Sequence, residues 1–424
     1  MRYSQACPVR LSGNDSHDYR AEKRRNGQTG KNHKRMFGKF SKQLMEKLFL
    51  AAVLSGALLP ATAAVTDSTS VKPPAAAADT GQARKKFHLV NKSWFLVPIG
   101  FYQEETSVGL GVTGGYYFNS HNLRKISSIS GSVTYTFLNQ AKINLNPRIY
   151  TKNEKFYFSG NLNLRYYPDK YFGRGNVATG LEYDYTTESF VINIQPFYAV
   201  TPDISIGPYL DFTGEKILPG EKLAADLPSL QAQYGEAGWT SHFMWGIGLQ
   251  FMYDTRDNTF YPQKFSNFLK ISALSYTKAL GSTYDATMLT LDFRQYIPTW
   301  LGQVLAWQVY INTALGGNVP FRMLPYVGGS DNLRGFRERL YSDNFMFEAQ
   351  AEYRIPIYKR LKAAVFCSVG DVVNIYDAHI NKLKVGYGAG LRFRLNDARV
   401  HLRVDFAGNN YGEFKFYITA TEAF

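Results

Sequence analysis

The sequence predicts an all-β protein: a 16-stranded antiparallel transmembrane β-barrel. Two-faced alternation, an aromatic-rich composition and a series of long strand-like runs predict it. Alternation is clearest near the C-terminal end of the sequence. Val385, Tyr387, Ala389, Leu391 and Phe393 oppose Gly386, Gly388, Gly390, Arg392 and Arg394. Val400, Leu402, Val404 and Phe406 oppose Arg399, His401, Arg403 and Asp405. A strand puts successive side chains on opposite faces, so each run has one greasy and one charged face. In a soluble sheet the greasy face packs on a core, whereas in a membrane barrel it meets lipid and the charged face lines a wet lumen. Aromatics form 15% of the chain, with 30 Tyr and 30 Phe, as two interfacial girdles require. A mean hydropathy of only -0.27 fits, because half of every barrel strand is polar.

Sixteen runs are expected near 107–118, 126–138, 141–151, 155–166, 178–187, 189–200, 203–213, 240–254, 265–277, 284–297, 302–314, 342–355, 361–370, 383–395, 398–407 and 414–424. Most exceed the ~5–6 residues of a soluble strand and reach the ~10 that cross a bilayer at a tilt. An even number suits a bacterial barrel, and closure hides edges that would otherwise face lipid. Tight connections, such as Asn396-Asp397, alternate with long ones near 214–239 and 315–341. The final run places Phe414, Phe416, Ile418, Ala420 and Phe424 on one face, interrupted only by Glu422.

Residues 1–64 carry 12 Lys and Arg against 4 Asp and Glu, which is +8 of the total +14. The excess therefore sits in a leader, and the basic balance does not argue for nucleic acid. Lys39, Lys42 and Lys47 precede the apolar stretch Leu48 to Leu59, followed by Ala61-Thr62-Ala63-Ala64. A basic flank, a short apolar run and A-x-A make a cleaved secretory signal over 36–64, with 1–35 as a non-structural extension and Met36 or Met45 as the start. Residues 65–92, rich in Ser, Thr, Pro and Ala, read as a linker or periplasmic segment, and 93–424 as the barrel. The two cysteines, Cys7 and Cys367, exclude a disulfide framework and a multi-Cys metal site.

Three segments go beyond a generic barrel: Tyr253 to Pro262, which contains Asp254, Arg256 and Asp257; Gly328 to Phe336, ending in Arg334-Gly335-Phe336; and the terminal run ending in Phe424. In this order they resemble the bacterial surface antigen superfamily, the BamA and TamA type of outer-membrane barrel. The resemblance covers about 93–424. It implies that the sixth loop folds into the barrel, with Arg334 as its tip arginine and Glu352 as a partner carboxylate. A guanidinium in a walled lumen favours a carboxylate that it can meet with more than one hydrogen bond. Gly335 lets the tip turn, and Phe336 offers an apolar contact. The family's Phe-x-Asp on the following strand is Phe366-Cys367-Ser368 here, so Ser368 replaces the second acid, and Asp371 or Asp405 compensates.

The resemblance implies an outer-membrane residence, as in the short members without POTRA domains, and does not fix the activity. An outer-membrane enzyme such as a lipase is not expected, because the sequence offers no adequate constellation for one. Phe424 would be an assembly signal. The expected role is insertion or translocation of outer-membrane proteins or lipids through a lateral seam between 107–118 and 414–424. A plugged passive or gated pore is the alternative. Expected partners are outer-membrane lipid, the assembly machinery during biogenesis, and unfolded barrel clients or a periplasmic partner. No cofactor or metal is expected. Gly109 to Gly114 matches GxGxxG but lacks the following helix that nucleotide binding needs. His401, Asp405 and Ser368 suggest a triad only on paper, since His401 and Asp405 are neighbours on one strand face.

Overall fold

The computed structural model describes residues 92–424 except 104–106, 120–122, 138, 236, 378 and 381–382. The expected extension, signal and linker fall outside the described residues, apart from Lys92. The strands are β1 Lys92–Gln103, β2 Ser107–Phe118, β3 Ser127–Thr136, β4 Ala141–Tyr150, β5 Phe156–Tyr171 and β6 Tyr183–Ala199. They continue with β7 Ile204–Pro219, β8 His242–Asp254, β9 Ser266–Tyr276, β10 Ala286–Pro298 and β11 Val304–Leu315. A two-residue pair, β12 Tyr326–Val327 and β13 Tyr341–Ser342, lies inside the connection 316–344. After it come β14 Phe345–Tyr358, β15 Leu361–Val373, β16 Lys384–Arg394, β17 His401–Asn409 and β18 Phe414–Ala420. All but β12 and β13 form one 16-stranded antiparallel sheet in chain order.

Burial along the strands is inside out. In β14, Met346, Glu348, Gln350, Glu352 and Arg354 are buried, while Ala349 between them is exposed. Leu249, Trp245 and Phe406 are exposed on the outer face, the last at 64%. A soluble sheet would bury the apolar set. A wall that hides its charges and shows its Leu, Phe and Trp is built for lipid. Residues distant in strand order meet across the shared interior: Lys270 reaches Gln195 at 2.7 Å, and Arg399 reaches Asp257 at 2.9 Å.

The strand count agrees with the sequence through two compensating differences. The run 107–118 is the second strand, because β1 precedes it with a full ladder from Lys92↔Phe118 to Gln103↔Ser107. Its sequence, KSWFLVPIGFYQ, is apolar almost throughout and contains Pro98, so it shows no clean alternation. Proline is tolerated there because β1 is an edge strand. Conversely, 178–187 and 189–200 are one strand, β6. The polar stretch Thr186-Thr187-Glu188-Ser189 reads as a break, yet it stays in the ladder opposite Leu218 to Glu215, with Lys216 paired to Glu188 at 3.1 Å.

The terminal run also differs. Strand β18 stops at Ala420, and Thr421 takes φ 75°, a left-handed conformation that turns the chain off the strand. Phe424 therefore leaves the outer face and is buried. Among the described residues no ladder joins β1 to β18, so each end strand has one partner. A cluster containing Phe95 and Tyr117 on one side of this gap and Ala398, Val400 and Ala420 on the other brings the two edges together at the end where β1 begins.

The opposite end carries the long connections. Helix α1, Glu221–Tyr234, sits in the connection between β7 and β8 and buries Leu223 and Leu230 among Tyr171, Tyr183, Tyr185, Trp239 and Phe321. Trp239 stacks on Phe321 with centroids 4.0 Å apart. Arg322 pairs with Glu215 and bonds Tyr185 Oη at 2.8 Å, and Arg174 pairs with Asp343 at 2.8 Å. These contacts knit three connections into one lid.

Candidate functional site: the anchored loop tip

The connection 316–344 reaches deep into the sheet's polar face. Arg334 is 1% exposed, and its Nη1 donates to Glu352 Oε2 at 3.0 Å and to Asp405 Oδ2 at 2.8 Å. Its guanidinium lies over the Phe366 ring, 3.5 Å from the centroid. Strands β14, β17 and β15 thus supply two carboxylates and an aromatic face, a combination suited to a planar cation. The backbone is held too: Gly335 N donates to Tyr417 Oη at 3.1 Å, and Asn409 Nδ2 donates to Gly335 O at 2.9 Å. Gly335 has φ 106°, and a Cβ there would lie 2.6 Å from Gly408 O. Phe336 is buried with Val327, Leu333, Tyr341, Met346 and Val372.

A mesh of arginines surrounds the tip. Glu352 also accepts from Arg354 at 2.9 Å and from Arg392 at 3.0 Å, and Arg403 reaches Asp331 at 2.6 Å. Lone buried charges would be prohibitive, so Glu352 and Asp405 are each shared among three guanidinium groups. From the other end the turned-in tail joins this mesh. Glu422 accepts from Arg392 at 2.8 Å and stands 3.3 Å from His401. Phe424 packs with Tyr296, Val304 and Ala306, and its carbonyl accepts from Arg354 at 3.0 Å. Burial alone would raise the Glu422 carboxyl, but the nearby His401 and the charges of Arg354 and Arg392 outweigh it and hold it down at about 2. A depressed carboxylate stabilises the fold above its unfolded value, ~4.3, and loses that contribution as pH falls through the folded value. Accessibility of a Phe424→Cys probe should therefore rise between about pH 4 and 2. With Glu422→Gln the profile should be flat in that window, and an unchanged slope would remove Glu422 from the account.

The segment Tyr253 to Pro262 forms the connection from β8 to β9. Arg256 clasps Asp254 through Nε at 2.8 Å and Nη2 at 3.1 Å, with Lys125 3.3 Å from the same acid. Asp257 accepts from Gln263 N at 2.9 Å and from Arg399 Nη1 at 2.9 Å. Phe260 meets Tyr117 edge-on at 5.0 Å. This connection therefore ties the far wall to both sides of the gap between β1 and β18. Asp257→Ala should cost ~1–3 kcal/mol through unmet backbone donors, with little from the half-exposed Arg399. A thermal unfolding midpoint within a degree of the parent would contradict it.

Ser368 is buried on the same face, but its hydroxyl has no hydrogen-bond partner. The second acid on Arg334 is Asp405, whereas Asp371 is engaged by Lys384 at 2.6 Å. Asp405 serves arginines rather than His401, whose ring lies tilted against Tyr261 with centroids 4.4 Å apart, so the paper triad does not assemble. Among the described residues no group of three His, Cys, Asp or Glu could hold a metal ion. Gly386, which sequence reasoning passed over, makes room for the tip: a Cβ there would lie 2.2 Å from Arg334 O. Its signal was the run of glycines on the charged face of β16. Glu422, the one break in the terminal alternation, marked the inward turn.

Sixteen antiparallel strands with a lipid-type outer face, a charged inner face and a connection anchored to that inner face define a large outer-membrane β-barrel. The chain belongs to the Omp85 superfamily, whose domain matches residues 104–424. Strand β1 lies just ahead of the matched region. Among solved structures it is similar to BamA from Haemophilus ducreyi lacking POTRA domains 1–3, with a TM-score of 0.52 at 16% identity over 78% of this chain and 70% of that one. CdiB from Acinetobacter baumannii matches with a TM-score of 0.50 at 13% identity, over 78% of this chain and 59% of that chain. CdiB from Escherichia coli gives 0.50 at 10%, over 78% and 62%. The chain thus spans under two thirds of either CdiB. Comparison with curated proteins gives no match.

Proposed function

We propose that this barrel assists insertion or translocation of outer-membrane proteins or lipids through a lateral seam between β1 and β18, with the 316–344 connection as its resident plug. The observation that carries this reading is the place of Tyr417. It lies on β18, an end strand with one ladder partner, and its hydroxyl accepts from the backbone of the loop tip. Movement of β18 and release of the tip are therefore mechanically linked. Arg334 and Glu352 hold the tip while the seam works. Phe424 acts as an assembly signal before the chain has folded. The purified chain in liposomes should speed insertion of an unfolded barrel client over protein-free liposomes, and no acceleration would overturn the reading.

A plugged pore is the second reading, favoured by the lid that joins the long connections at one end. Deleting 320–341 should raise single-channel conductance sharply. Conductance equal to that of the intact chain would sink the plug.

A further inference from the structure

A cavity of about 540 Å³ runs along the edge of β18 that has no ladder partner among the described residues. Residues of both faces of that strand line it: Lys415, Tyr417 and Thr419 from the inner face, and Phe414, Phe416 and Ile418 from the outer. A paired strand could not offer both faces to one cavity, because its neighbour's ladder would stand between them. The far wall comes from β3, β4 and β5, and the roof from the loop residues after Phe336. Five cations line it, Lys142, Arg165, Arg337, Arg339 and Lys415, against two acids, Asp169 and Glu338. Asp169 is already held by Arg165 at 2.7 Å, and Glu338 accepts from Tyr326 at 3.1 Å. Lys142 and Lys415 have no ion-pair partner among the described residues. Each is the second residue of its strand, and the antiparallel order puts both at the end that carries the long connections.

The cavity is thus cationic and polar within, and apolar where it turns round the edge. We propose that it binds a membrane lipid with a phosphate headgroup. The headgroup enters between Lys142 and Lys415, and the acyl chains pass the edge of β18 to lie on Phe414, Phe416 and Ile418. Charge selects the head, since an excess of cations in a walled space attracts an anion more strongly than in open water. The outer aromatic and aliphatic side chains accept the tails without bringing polar groups into lipid. This site rests on the barrel standing in a bilayer with β18 unpaired, as in the seam reading, but not on insertion activity.

The test uses the full chain in a neutral detergent, with retained lipid counted by native mass spectrometry. Dioleoyl phosphatidylglycerol should be retained several-fold over dioleoyl phosphatidylcholine. The preference should vanish in Lys142→Gln/Lys415→Gln, with Lys415→Gln alone serving if the double variant does not fold. Equal retention of the two lipids, or a preference that survives both variants, overturns the site. So does complete displacement by millimolar inorganic phosphate, which would show a free-anion site. Client insertion is measured on the same preparations. Lost insertion with the phosphatidylglycerol preference intact counts against the insertion reading and supports the lipid site.

Discussion

Replacing Arg334 by Ala is expected to loosen the loop tip and to lower stability by ~3 kcal/mol, the lower end of the cost of breaking a buried ion pair. The lower end applies because Glu352 keeps Arg354 and Arg392, and Asp405 keeps Arg392 and Arg403. What disappears is, among the described residues, the one group that ties this mesh to the 316–344 connection through two carboxylates at once. The apolar contacts of Leu333 and Phe336, the backbone bonds of Gly335 to Tyr417 and Asn409, and the Arg403–Asp331 pair remain, so the tip is loosened rather than stripped of every contact. Limited proteolysis should then cut within 328–341, where the parent resists, and client insertion should change with it. Arg334→Lys should fall between the two. Its ammonium keeps the charge but cannot span two acids while lying flat on Phe366. Unchanged protease resistance in Arg334→Ala would end the docking proposal.

Gly386→Ala should expel the same tip without touching a charge. Its Cβ would stand 2.2 Å from Arg334 O and 2.9 Å from Ser368 Oγ. The serine can rotate, but the carbonyl cannot, because Gly335 beside it is pinned by Tyr417 and Asn409. Overpacking of this kind costs ~1–3 kcal/mol where surroundings yield, and here the yielding part is the tip itself. Proteolysis should therefore match the Arg334→Ala pattern. The double variant should cost less than the sum of the singles, because each removes the same seated state. Ser368→Ala is the control: its hydroxyl has no partner, so the change should stay within ~0.5 kcal/mol. Full additivity in the double variant would separate Gly386 from the tip.

Strands whose two faces differ in polarity were legible because alternation and burial share one cause. The matching total hides its limits, however. Alternation fails where both faces are apolar, as in β1, and it breaks falsely where a long strand leaves the apolar layer, as at Thr186 to Ser189 in β6. Helix α1 was not legible, with Pro228 inside it and only Leu223 and Leu230 buried. Arg334 and Glu352 were legible through a motif, but the choice between Asp371 and Asp405 was not. Parity puts Asp405 on the inner face with His401 and Arg403 but puts Asp371 out of step with Phe366 and Ser368. Yet Asp371 is also buried, against Lys384, so alternation alone does not tell which acid lies beside the tip. The role of Gly386 depends on a backbone carbonyl from a residue 52 positions away, which no local pattern encodes.

The inward turn at Thr421 also sets an order in time. Phe424 can be touched by another protein only while the slot formed by Tyr296, Val304 and Ala306 is empty, and that slot is built from strands on the far wall. Once those strands are in place and the tail has swung under Arg354, the residue is covered on every side. On the proposal that Phe424 is an assembly signal, recognition must come first, and completion erases what was recognised. On that proposal maturation runs one way, since the finished wall no longer displays the mark by which an unfinished chain could be known.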